Sequence, residues 1–167
     1  MPADTDAHID EDISLTERAR RWQKELAARA PEAEDIRKLP QDLAQTLAET
    51  GFYAMCNPVE DGGQGASPAD YAETVEALAR GDAAPAWCSF IATTAAFGMA
   101  YADNDTVRAL LSRPGVKTAG VFAPMGRAVE TEQEGVKGYR INGRWAWGSG
   151  TQNADWVSGG CFLAGED

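Results

Sequence analysis

The sequence carries one histidine, His8, and it lies in the acidic opening MPADTDAHIDEDIS. A Ser-His-Asp triad and a histidine-rich zinc centre both need imidazole beside other reactive groups, so neither can be built within this chain. No CxxC pair and no GxxxxGK[ST] phosphate loop occur either. Cysteine is scarce: Cys56, Cys88 and Cys161 are odd in number and far apart. That usage fits a reducing cytoplasm, with all three thiols as small core or surface residues. Basic charge is in deficit, since 15 Lys and Arg stand against 26 Asp and Glu for a formal charge of −11. No basic patch offsets repulsion from a phosphate backbone or an anionic bilayer, so no nucleic acid and no membrane is expected as a partner. The deficit still leaves room for an anionic cofactor held by a few local donors. No run of about 18 apolar residues stands out, so no transmembrane helix is expected. The opening lacks an apolar h-region and does not read as a secretory signal. Residues 1–13 are expected to form a disordered acidic tail.

What is present is enough for a core. The chain has 167 residues, 44% of them hydrophobic, which suits one good core or two small lobes sharing one. The first part reads as helices. Ser14-Leu15-Thr16-Glu17 is a capping box, and Leu15, Ala19, Trp22 and Leu26 follow on one helical face, with Pro31 expected to end the helix. Pro40 suits a first turn, Leu43 and Leu47 mark an inner face, and Gly51 is a stop. VEDGGQGASP (59–68) is a loop, and Ser67-Pro68 opens a third helix that carries Tyr71, Val75 and Leu78 inward. From about Ala84 to Ala102 the sequence is almost free of charge, which predicts a helix buried all round. A short helix near Thr106–Leu111 is broken by Arg113-Pro114-Gly115.

After Pro114 the period changes from helical to alternating. VKTAGVFAP and AVETEQ read as strands, residues 134–138 as a turn, YRINGRWAW as a strand with a bulge at Gly143, and DWVSGGCFLAG as a last strand. The fold class expected is therefore α+β: an all-helical lobe over 14–114 followed by an antiparallel sheet over 115–167.

The stretch GRWAWGSGTQNADWV holds Trp145, Trp147 and Trp156, three of the five tryptophans. On a strand Trp145, Trp147 and Ser149 would share one face. Aromatics at alternate positions serve as sheet core more often than as a cofactor wall. Ser149 taken alone is more often a turn residue. The other reading is an indole wall for a flat ligand, with Ser149 as its polar handle and Gly148 and Gly150 allowing close approach.

The succession of a helical lobe, a GGQG loop, an apolar helix and strands carrying NGRWAWGSG and ADWV resembles the N-terminal part of the acyl-CoA dehydrogenase superfamily. That superfamily includes reduced-flavin-dependent aromatic hydroxylases. The resemblance covers roughly Leu39 onward, and its most specific piece is Asn142-Gly143, Trp147, Ser149 and Ala154-Asp155. It implies a flavin, FAD or alternatively FMN, with Trp147 flanking the ring system and Ser149 bonding near it across Gly148. Phe122, Ala123 and Pro124 would supply backbone contacts to the flavin's pyrimidine edge. It also implies a small-molecule substrate, acyl-CoA-like or aromatic. Family members continue through more strands and a C-terminal helical bundle, so the resemblance implies the N-terminal part of an enzyme. Completion by such a bundle, or a homo-oligomer, is expected. The sequence departs from the dehydrogenases after the first strand: a T-E-P-x-x-G-S-D-like run is replaced by Ala123-Pro124-Met125-Gly126-Arg127-Ala128. It departs from the hydroxylases in lacking a histidine over 84–102. No catalytic residue is assigned and no metal is expected. A non-catalytic module that binds a partner through an open sheet edge is the competing reading.

Overall fold

The computed structural model describes residues 13–102 and 104–164; the tail expected over 1–13 lies almost wholly outside them. Five α-helices precede three strands: α1 (Leu15–Ile36), α2 (Gln41–Glu49), α3 (Pro68–Ala79), α4 (Ala83–Ala100), α5 (Asp105–Leu111), β1 (Thr118–Gln133), β2 (Val136–Gly143) and β3 (Trp156–Leu163). The helix starts follow the side chains that can satisfy free amides. Ser14 Oγ accepts from Glu17 N–H and Ser67 Oγ from Asp70 N–H, each at 3.2 Å. Gly51, at φ 92°, ends α2. Its N–H donates to Ala48 O and that of Phe52 to Leu47 O, the double closure of a Schellman end. Pro31 does not end α1; the helix continues to Ile36. Buried Ala33 packs into the core beyond the proline, and Arg29 holds Glu32 and Asp42 across it, so tertiary contacts outweigh the lost hydrogen bond.

The core lies between α1, α2, α3 and α4. Trp22 and Leu26 of α1 meet Leu43 and Leu47 of α2, Phe52 and Met55 of the following turns, Leu78 of α3 and Ala92 of α4. Helix α4 corrects the expectation of burial all round. Its small residues Ala86, Ser89, Ala92, Thr93 and Ala96 face the core, while Trp87 is 53% and Phe97 40% exposed and Ile91 is half-buried. Small side chains let the helix approach closely, and Thr93 Oγ1 donates to Phe52 O at 3.2 Å from within the contact. By length and composition α4 could cross a membrane, contrary to the reading that no stretch reaches that measure. Here it is packed against α3, α5 and β1.

Strand β1 is the centre of a three-stranded sheet with order β2-β1-β3. Residues Glu134 (φ 52°) and Gly135 (φ 80°) both take positive φ and join β1 to β2. That is the two-residue hairpin turn whose twist suits antiparallel strands, tighter than the turn expected over 134–138. The sheet is mixed rather than wholly antiparallel, because β3 pairs with β1 in parallel. The segment 144–155 carries the chain past β1 to its other edge, which a hairpin cannot do.

Candidate functional site

Trp147 stands at φ 63° and is 91% exposed. A bulky side chain in the left-handed region is a strained placement and is found where surrounding structure enforces it. The enforcing structure is local. Strand β2 ends at Gly143, so Trp145, Trp147 and Ser149 lie on the crossover, and the expectation that they share one strand face is corrected. Trp145 turns under the sheet, where its Nε1–H donates to Gly160 O at 2.8 Å. With one indole turned inward, the chain reverses sharply. Ser149 N–H donates to Trp147 O at 2.8 Å, and Thr151 Oγ1 donates to Gly148 O at 2.7 Å. Gly150, at φ 76°, completes the reversal. Nor is Gly143 a bulge; the break in the sheet lies elsewhere.

That break is in β1. Val121 pairs with Gly159 and Gly126 with Cys161, so residues 122–125 stand opposite Gly160 alone, and pairing with β2 begins only at Gly126. A bulge of this kind disrupts the ladder and re-aims side chains. Phe122 (65% exposed), Ala123, Pro124 and Met125 are all exposed there. The Phe122 ring lies over Gly98 of α4, where a Cβ would come within 2.9 Å of it. The bulge is joined to the tryptophan turn by Ala146 N–H, which donates to Met125 Sδ at 3.4 Å. Thus Phe122, Ala123 and Pro124 on one side and Trp147, Gly148 and Ser149 on the other are held by neighbouring segments of the structure.

A second set of residues ties this turn to the helical lobe. Lys117 is 4% exposed along its side chain, and its Nζ donates to Gln45 Oε1 of α2 at 2.6 Å and Asp155 Oδ2 at 3.0 Å. Asp155 Oδ2 also accepts the Lys117 backbone N–H at 2.9 Å. Partial burial pushes the Asp155 carboxyl up, but the backbone N–H, ammonium and charge of Lys117 together hold it below the ordinary value. Asn153 Nδ2 donates to Leu39 O at 3.0 Å and to Gln41 Oε1 at 3.1 Å. Sequence reasoning missed this clamp and Met125. The signal for the clamp was Lys117, a lone cation inside the apolar run VKTAGVF, with Asp155 as its sequence-distant partner.

No cluster of three metal-ligating side chains occurs among the described residues. The three cysteines are free, and burial, with the charge of Asp82, pushes the Cys88 thiol up to about 11, so it stays protonated and inert at neutral pH.

Residues 10–109 match the family described as acyl-CoA dehydrogenase, N-terminal domain. The chain belongs to that family. It is 32% identical over 133 residues to the flavin-dependent monooxygenase, oxygenase subunit HsaA, of Rhodococcus jostii strain RHA1, covering 79% of this chain and 34% of that one. It is 30% identical over 144 residues to a pigment production hydroxylase of Rhodococcus erythropolis, covering 86% and 36% respectively. The crystal structure of a 3-HSA hydroxylase from Rhodococcus sp. RHA1 superposes with a TM-score of 0.76 at 28% identity, over 92% of this chain and 40% of that one. The chain therefore spans about a third of the length of the curated relatives it matches.

Proposed function

We propose that this chain forms the flavin wall of the oxygenase component of a two-component, reduced-flavin-dependent monooxygenase that hydroxylates a small aromatic substrate. The observation that carries the reading is Trp147, an exposed indole held at positive φ beside the 122–125 bulge. An exposed aromatic in a strained backbone has no packing reason to be there, and a flat ring system is the partner that would give it one. The residues present fit that group. The indole of Trp147 offers a stacking or edge surface, Ser149 a hydroxyl, and Gly148 and Gly150 no side chain to obstruct approach. The bulge offers backbone groups that the ladder with its neighbours skips. FAD is the first candidate and FMN the alternative. The relatives named as a flavin-dependent monooxygenase oxygenase subunit and a hydroxylase support the oxygenase branch over the dehydrogenase branch. So does the loss of the Thr, Glu and Ser of the dehydrogenase run after the first strand.

Reduced flavin, when bound, supplies the electrons with which dioxygen is activated, while the protein binds and orients. On this chain Trp147 would fix the plane of the ring system, and Ser149 would donate or accept at its edge. Phe122 would close the side toward α4. An oxygenase component receives its flavin reduced, so a separate reductase is the implied protein partner. Pairing of copies of this chain, or a helical bundle packed on α4, would cover the remaining side. The test is anaerobic titration with reduced FAD and reduced FMN, read by quenching of tryptophan fluorescence. Saturable binding is expected, and Trp147→Ala should weaken it by about 1–3 kcal/mol. Equal affinity in the two proteins would return Trp147 to a surface residue.

A further inference from the structure

We infer that Trp145 is a positioning residue that sets the two candidate flavin-contact segments, 122–125 and 147–149, at a fixed separation. The inference rests on the flavin reading above but on different atoms. The Trp145 ring lies across all three strands in a slot made by one glycine from each: Gly126 of β1, Gly143 of β2 and Gly159 of β3. A Cβ at Gly143 would fall 2.7 Å from the ring and one at Gly159 2.8 Å, and Gly126 is closer still. Any side chain at these positions would therefore expel or tilt the indole. The slot alone would make Trp145 ordinary packing. Its hydrogen bond gives it a second role. Nε1–H donates to the carbonyl of Gly160, the one residue opposite the four-residue bulge. Gly160 in turn lies against Phe122 O and the carbonyl of Ala123, so closely that a Cβ there would collide with both. The next residue in the chain, Ala146, reaches the far end of the same bulge through Met125 Sδ at 3.4 Å. One indole thus fastens the bulge through Gly160, while its own backbone leads directly into the Trp147 turn.

The test uses Trp145→Phe, which keeps an aromatic ring in the slot and removes the N–H, in three measurements on the 167-residue chain. The first is amide chemical shift by two-dimensional NMR. We expect changes concentrated at residues 122–126 and 146–151, with Leu43 and Leu47 of the helical core unmoved. The second is affinity for reduced FAD, expected to fall about five- to tenfold, the worth of one hydrogen bond to an ordered site. The third is the melting temperature, which a purely structural role would lower without the other two effects. A lower melting temperature with unchanged shifts in both segments overturns the inference. So does unchanged flavin affinity in a background where Trp147→Ala does weaken binding. If Trp147→Ala leaves affinity unchanged as well, the flavin reading has failed, and the NMR pattern alone decides whether Trp145 holds the two segments. Should Trp145→Phe not fold, hydrogen exchange of the unaltered protein decides. The Trp145 indole N–H is expected to exchange slowly while that of Trp147 exchanges fast, and equal fast exchange for both overturns the proposal.

Discussion

Lys117 shows how a single buried charge can shape a site it does not enter. Its ammonium is almost completely covered and meets Gln45 and Asp155, so the turn ending at Asp155 is tied to α2. Replacing it by methionine keeps the volume but removes the ammonium from Asp155 and Gln45, leaving Asp155 only the backbone N–H of residue 117. Because Asp155 is itself 45% exposed along its side chain, water can re-solvate it, and the expected cost is about 1–3 kcal/mol in urea unfolding, below that of a fully buried pair. The same carboxylate gives a pH signature. Its folded pKa is depressed, so its contribution is present above the ordinary carboxylate value of about 4 and is lost as pH falls through the lower folded value. The stability gap between the natural protein and Asp155→Asn should therefore be constant around neutrality and close in acid. A gap that widens in acid would show that Lys117 does not govern Asp155. Trp147 yields a prediction of the opposite sign. Being exposed at φ 63°, it costs backbone strain and contributes little packing. Trp147→Gly should be more stable than Trp147→Ala by about 1 kcal/mol, because only glycine removes the strain, while both lose the indole. Equal stabilities would mean that the positive φ is not maintained in solution.

At the scale of elements, what the sequence announces is what local chemistry decides. Ser14, Ser67 and Gly51 name helix ends because their side chains, or the lack of one, satisfy backbone groups within four residues. The inner face of α2 follows from Leu43 and Leu47 in the same way. The order of a helical lobe and then a sheet was legible too, since the hydrophobic period changes after Pro114. What was not legible depended on distant contacts. Helix α1 passes Pro31 because Ala33 finds the core and Arg29 finds Asp42 beyond it. Strand β3 runs parallel because 144–155 crosses to the other edge of β1. Trp147 left the expected strand because Trp145 took the slot, and a period-two pattern cannot say which indole turns under. In α4 the stripe was hidden because its core face is small and its outer face large, so nothing polar marked the difference. Pro31 offers a direct check on this account. Pro31→Ala restores an N–H that can reach Ala27 O and removes a ring that crowds that turn, gains of about 3 kcal/mol in an unconstrained helix interior. The freer unfolded chain returns about 0.4–1 kcal/mol. A net gain of about 2–2.6 kcal/mol is expected by thermal or urea unfolding. A loss would show that α1 is already bent to fit the proline and that the core depends on the bend.

For the whole molecule, the question is whether these residues can carry out a reaction by themselves. A hydroxylating site must exclude water around the reacting groups, and electrostatic and hydrogen-bonding terms gain strength only when it does. Here Phe122, Met125 and Trp147 are exposed in the sheet region, and Trp87, Phe97 and Tyr101 of the α4 region are exposed on the helical lobe. Strand β2 is exposed along its whole length. Exposed apolar residues of this kind offer surface for contact with further protein or ligand, and the free edges of a three-stranded sheet invite pairing. No histidine occurs among the described residues to take a proton from a phenol, and Asp155, the acid nearest Trp147 along the sequence, is committed to Lys117. The 167-residue chain supplied with reduced FAD, oxygen and a phenol is therefore expected to bind the flavin without sustained hydroxylation. The electrons should go to oxygen and appear as hydrogen peroxide instead. Quantifying peroxide and hydroxylated product together, on protein whose mass in solution is measured in the same buffer, checks this. Sustained hydroxylation by a monodisperse monomer would mean that the exposed face closes in solution, and that residues of this chain other than Trp147, Ser149 and the 122–125 bulge complete a dry site.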